Sequence, residues 1–110
     1  MLNQVVLVGR LTSNLELKET EKGIQVANIT LAVQRSFKNE DGEYETDFID
    51  CVLWNSIAEN TAQFCRCGDL VGIKGRIQTG SYEAQDGTRR YSTEVIAERI
   101  TFLSSKKNEE

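Results

Sequence analysis

Phe48, Asp50, Val52 and Trp54 fall at every second position of the run Phe48-Ile49-Asp50-Cys51-Val52-Leu53-Trp54. Side chains on a strand alternate between two faces, so these four share one face and Ile49, Cys51 and Leu53 share the other. The second set reads as core. The first aligns the only tryptophan of the chain with an aspartate, which a buried strand does not normally do. Rings exposed beside polar groups mark a contact surface. A second segment repeats the pattern: Val71, Ile73 and Ile77 lie in one phase, and Lys74, Arg76, Gln78 and Tyr82 in the other. Two cations, an amide and an aromatic ring in one line suit flat, ring-sized ligands strung on an anionic chain, as bases are on a nucleic acid. Unpaired bases expose their π faces. Stacking one on an aromatic side chain contributes about 1–3 kcal/mol whatever the base, while cations follow the phosphates. A duplex hides those faces, and its readers insert a helix into a groove instead.

Other chemistries fare poorly. The chain has no histidine, which removes Ser-His-Asp and Cys-His nucleophile systems and the common zinc ligand sets. Cys65-x-Cys67 has the wrong spacing for a zinc knuckle or a dithiol redox pair. Glu40, Asp41, Glu43, Glu45, Asp47 and Asp50 form an acidic run that contains no base, and a carboxylate-metal nuclease is the enzyme such a run suggests. Asp47 and Asp50, three apart on a strand, point to opposite faces and cannot chelate together without a bulge. A charge run is usually a solvated arm, so no catalytic residue, metal or cofactor is expected. Gly72-x-x-Gly75 lies inside an alternating strand and is not an RNA-gripping loop. The formal net charge is −4, unusual for a nucleic-acid binder. The bases at Arg10, Arg35, Lys38, Lys74 and Arg76 stand apart from the acids, and a binding groove responds to the local field.

At 110 residues the chain is one domain, with enough surface to bury a real core. The opening Met1-Leu2-Asn3-Gln4 lacks the layout of a secretion signal, and no apolar run is long enough to span a membrane. Cys51, Cys65 and Cys67 then read as reduced thiols in the cytoplasm, and Asn28-Ile29-Thr30 is a glycosylation motif only in form.

The elements that must position these residues follow from periodicity. Asn3 to Leu11 alternates and predicts a strand buried on both sides in its middle. Glu16 to Lys22 is a charged connection. Ile24 to Arg35 is a long second strand, and Asp41-Gly42 marks a hairpin tip. Glu45 to Trp54 is the third strand. Ser56-x-x-Glu59 has the form of a capping box, and Ile57, Ala58, Thr61, Ala62 and Cys65 continue a helix that Gly68 stops. Leu70 to Tyr82 is the fourth strand, Asp86-Gly87 a second tip, and Tyr91 to Leu103 the fifth strand. Phe64 and Phe102 sit in apolar surroundings and are expected in the core. The order β-β-β-α-β-β is that of an OB-fold, an all-β five-stranded Greek-key barrel with one helix between strands three and four. Another five-stranded barrel with a peripheral helix has the same pattern. The domain is expected over residues 1–103, with 104–110 a short mobile polar tail. Phe37 stays open. It is in phase with Ile29, Leu31 and Val33, yet so is Arg35, which says the strand is leaving the core or bulging.

Four segments resemble the bacterial single-stranded DNA-binding protein family: Asn3-Gln4-Val5-Val6-Leu7-Val8-Gly9-Arg10-Leu11, Val26-Ala27-Asn28-Ile29-Thr30-Leu31-Ala32-Val33, Gly75-Arg76-Ile77-Gln78-Thr79-Gly80-Ser81-Tyr82 and Tyr91-Ser92-Thr93-Glu94-Val95. The resemblance as a whole runs from about Leu2 to Leu103, nearly the whole chain. The resemblance implies an OB-fold that assembles as a homotetramer, is associated with the nucleoid, and protects single strands in replication, recombination, repair or DNA uptake. It implies base stacking on Phe37, Phe48, Trp54 and Tyr82, which decides Phe37. Phosphate and polar contacts are expected from Arg10, Arg35, Lys74, Arg76 and Gln78. Where relatives often carry bases, this chain has Asp50, Ser56, Cys67, Gly80 and Ser81, so a shallower salt dependence is expected. The family's long linker and acidic tip, which recruit replication and repair enzymes, have no counterpart in Ser104-Ser105-Lys106-Lys107-Asn108-Glu109-Glu110. Either the sequence is a piece of a longer protein or it is a short form lacking the tip, and recruitment of those enzymes is not expected of it as it stands. A primosomal adaptor of the same fold is the rival reading, and a dimer in place of a tetramer would favour it.

Overall fold

Alternating apolar residues build six strands and one helix among the described residues: β1 (Val5–Leu11), β2 (Lys18–Glu19), β3 (Gln25–Lys38), β4 (Tyr44–Trp54), α1 (Asn55–Phe64), β5 (Leu70–Glu83) and β6 (Arg89–Ser104). The computed structural model describes residues 1–104, so Ser105 to Glu110 of the expected tail lie outside the described residues. Ser104 itself ends β6, in register with Leu70.

The sheet order is β1-β5-β6-β4-β3-β2. β1 runs antiparallel to β5 from Val5↔Gly75 to Arg10↔Leu70. Its last residues also pair with β3, at Arg10↔Ala32 and Leu11↔Leu31, and this second pairing closes the barrel. β4 and β6 meet in parallel at Cys51↔Val95 and Val52↔Ile96. The result is the expected OB-fold, a closed five-stranded barrel with its helix between the third and fourth barrel strands. The two-residue β2, placed by sequence in a connection, is an addition that pairs with β3 outside the barrel.

One face of each barrel strand fills the interior. Leu11, Ala27, Ile29, Leu31, Cys51, Leu53, Val71, Ile73, Val95 and Ala97 form the core, and Ala58 and Cys65 reach it from α1 and its C-terminal end. Ile49 packs against it half-buried. Burial pushes the Cys51 thiol up to about 11, with the Asp50 charge adding to the effect, and burial raises Cys65 as well. Both hairpins turn where Asp-Gly predicts them, with Gly42 and Gly87 at φ 78° and 83°, a conformation that glycine adopts without steric cost.

Several expectations need correcting. β1 is not buried on both sides: Val6 is 70% and Val8 51% exposed, because a barrel strand turns only one face inward. Phe64 and Phe102 are not core. They lie at the end of α1 and near the end of β6, 62% and 45% exposed, with ring centroids 6.1 Å apart. The capping box does not form. The chain passes from Trp54 straight into the helix through Asn55 at φ 56°, and no side chain caps the N-terminus. Asparagine tolerates that left-handed conformation. The helix ends at Phe64, before the predicted stop, which leaves Cys65 as its C-cap and Cys67 exposed in the following turn.

Candidate nucleic-acid interface

Register decides which side chains share the outer surface, since directly paired residues point the same way. Across β3 and β4 the pairs are Ala32↔Phe48, Thr30↔Asp50, Asn28↔Val52 and Val26↔Trp54. Val52 is in register with Ile96 of β6, which pairs in turn with Arg76 of β5. Gln78↔Glu94 and Tyr82↔Arg90 continue that face toward the second hairpin. Phe48, Trp54, Arg76, Gln78 and Tyr82 therefore lie on one side of a continuous sheet, β3-β4-β6-β5. Phe48 and Trp54 are six residues apart, roughly 20 Å along the strand.

The rings are open to solvent: Phe37, Phe48 and Tyr82 are 64%, 68% and 58% exposed and Trp54 38%. Val52, in phase with Phe48 and Trp54, is buried. Its partner Ile96 is buried too, though neither joins the cluster that fills the barrel interior. They form a small apolar seam under the middle of the track. Asp50 is engaged, its Oδ1 accepting the Thr30 hydroxyl at 3.1 Å.

Phe37 leaves the barrel by a bulge. Pairing is regular to Gln34↔Thr46 and resumes at Lys38↔Tyr44, with a register shift between. This is the departure that alternation left open, and it carries Phe37 outward.

The cations are placed unequally. Arg10 pairs with Ala32, itself opposite Phe48, so it stands in the same row as that ring. Its Nη1 donates to the Gly68 carbonyl at 2.8 Å. Arg10, Ala32, Gln34 and Thr46 help line a cleft of about 450 Å³ beside this row. Arg76 Nη1 donates to Gln78 Oε1 at 2.9 Å, which ties cation and amide together. Lys74 lies further round the barrel, between Val6 of β1 and Arg99 of β6. Arg35 faces away from the row, with Asp47 and Glu45. Its Nη2 and Nη1 lie 2.9 and 2.7 Å from their carboxylates. Hydrogen bonding to Asp47 raises the Arg35 pKa, and the same bond holds the Asp47 carboxyl below its ordinary value.

Arg90 was not among the residues picked by pattern. It faces Tyr82 across the hairpin and lies 3.7 Å from Asp86. Counting outward from the Asp86-Gly87 tip finds it, because a hairpin's register follows from its turn. Glu94, opposite Gln78, adds an acid to the face. Asp47 pairs with Val33 and Asp50 with Thr30, so the two point to opposite faces, and among the described residues no three potential ligands converge to hold a metal ion.

The family model described as "Single-strand binding protein family" matches residues 2–103. "Single-stranded DNA-binding protein 3" of Listeria innocua is 56% identical over 108 residues, covering 98% of this chain and 68% of the relative. "Single-stranded DNA-binding protein B" of Bacillus subtilis is 53% identical over 109 residues, 99% of this chain and 96% of the relative. A Bacillus cereus "Single-stranded DNA-binding protein" is 53% identical over 103 residues, with 94% and 61% covered.

Proposed function

The chain belongs to the single-strand binding protein family, and on that footing we propose that it binds and protects single-stranded DNA without regard to sequence, by stacking bases on Phe37, Phe48, Trp54 and Tyr82. The observation that carries the reading is the exposed row of Phe48 and Trp54 on the sheet face that also holds Arg76, Gln78 and Tyr82. Rings spaced along a shallow sheet accept successive unstacked bases, and sequence tolerance follows because every base has a π face. Arg10, Lys74 and Arg76 take phosphates, and Gln78 offers its amide to a base edge or a phosphate. The protein works by binding rather than by turnover, in the cytoplasm, in the replication, recombination and repair processes in which the family takes part.

We also propose a homotetramer. The resemblance implies it, and Val6 and Val8 on the outer face of β1 are an apolar pair that the described residues leave exposed.

Titration with oligo-dT at low salt, followed by Trp54 fluorescence, tests the binding mode. Stacking should quench the indole in a saturable way and at matched affinity for mixed sequences. An unchanged spectrum at saturating oligonucleotide overturns the stacking role of Trp54.

A further inference from the structure

Between Gln34↔Thr46 and Lys38↔Tyr44, three β3 residues, Arg35, Ser36 and Phe37, stand against Glu45 alone. Regular antiparallel pairing sets one residue against one, so the surplus must leave the ladder, and a bulge re-aims the side chains it carries. Phe37 is one of these. Backbone outside the ladder needs another restraint to keep one shape.

The Arg35 side chain supplies one. Its Nε donates to Asp47 Oδ2 at 3.1 Å, its Nη2 to Asp47 Oδ1 at 2.9 Å and its Nη1 to Glu45 Oε2 at 2.7 Å. A planar guanidinium forked onto a carboxylate fixes direction as well as distance. The other Glu45 oxygen accepts from Asn39 Nδ2 at 3.4 Å, and Asn39 Oδ1 accepts the backbone N–H groups of Asp41 and Glu43 at 2.9 and 3.0 Å. Hydrogen bonds thus run unbroken from Asp47 at the barrel rim to the hairpin tip, across the bulge. On its far flank Lys38 Nζ lies 5.7 Å from the Tyr44 ring centroid. The pairs are exposed, so each alone is weak, but several charges joined in one network act together.

We propose that Arg35 is a positioning residue for single-strand binding: clamped by Asp47 and Glu45, it holds the bulge that presents Phe37 to a base, and it does not itself contact phosphate. The inference rests on Phe37 being a stacking ring.

Oligo-dT titrations over a range of salt, with Asp47→Asn, Arg35→Lys, Phe37→Ala and the double variant Asp47→Asn/Phe37→Ala, separate the two roles. Asp47→Asn should weaken binding roughly three- to tenfold, within what one ring contributes. It should leave the slope of log affinity on log salt unchanged and cost nothing further when Phe37 is already alanine. Arg35→Lys keeps the charge but loses the fork, and should match Asp47→Asn. Tighter binding by Asp47→Asn, with a slope steeper by about 0.7, would mean that a freed Arg35 reaches phosphate, and it overturns the inference. So does full additivity in the double variant. Unchanged binding by Phe37→Ala overturns the stacking reading of that ring instead, and with it this use of the clamp. Emission from Phe37→Trp in a Trp54→Phe background reads the bulge without DNA. Asp47→Asn should shift it while circular dichroism reports an intact barrel, and an unmoved spectrum also sinks the clamp.

Discussion

Trp54 stands at the end of β4, on the outer face and with more than a third of its surface in solvent. Replacing it by alanine removes the proposed stacking platform without opening the core. Trp54→Ala is therefore expected to weaken oligo-dT binding by about 1–3 kcal/mol, measured by titration, with the circular dichroism melt little changed. A collapsed melt would place the indole in the core. Alternation read β4 correctly for Ile49, Cys51 and Leu53 inside and for Phe48 and Trp54 outside. It did not predict that Val52, in phase with the rings, is buried. That depends on Ile96 lying beside it across a parallel pair, and no local pattern in β4 contains that information. Phe64 and Phe102 failed for the same reason in reverse. Their neighbours in sequence are apolar, but their positions at element ends leave them outside the barrel.

At the scale of elements, the irregular places matter most. β5 and β6 shift register between Lys74 and Gly75, where the strands come unusually close. A Cβ added at Gly75 would lie 2.2 Å from the Ile96 carbonyl oxygen and 3.0 Å from its carbon, both backbone atoms that cannot swing aside. At Gly72, in the same strand, the nearest atom is Leu103 Cδ1 at 3.7 Å, an ordinary contact. Gly75→Ala should destabilise the domain by about 1–3 kcal/mol or more as an overpacked site does, while Gly72→Ala should stay within about 0.5 kcal/mol as surface changes usually do. Urea midpoints compare the two, and equal midpoints would show that β5 and β6 separate there at little cost. The chain order of the five barrel strands, both hairpin tips and the helix between β4 and β5 were legible from period-two and helical spacing, whereas the two-residue β2 was not. The helix start was not, because the capping-box residues are one turn's worth of side chains that the direct passage through Asn55 bypasses.

For the whole molecule, the distribution of charge and apolar surface outweighs the totals. The acid-rich hairpin arm is partly neutralised by Arg35, and Asp50 is held by Thr30, so a net charge of −4 coexists with a sheet face bearing Arg76 and Arg90 beside its rings. Val6 and Val8 leave an apolar strip on the outer wall of the barrel. Light scattering should report four times the 12.4 kDa chain mass. The paired change Val6→Lys with Val8→Lys should lower the mass by placing like charges at a dry contact while the barrel still melts cooperatively. A wild-type monomer at micromolar concentration overturns the tetramer, and a wild-type dimer favours the adaptor reading.

Sequence by itself determined the order of elements, the inward faces of the strands, and the alternation of rings and cations on a surface too polar for a core. These are local properties, set by a two-residue period and by turn chemistry within a few positions. Tertiary structure decided which outward residues meet. It joined Phe48 and Trp54 to Arg76, Gln78 and Tyr82 across β6, buried Val52 against Ile96, turned Phe37 out through a bulge, and gave Arg35 two carboxylates in place of open solvent. Each depends on register between strands, and register is settled only when distant segments pair and one face of each is driven into a shared core.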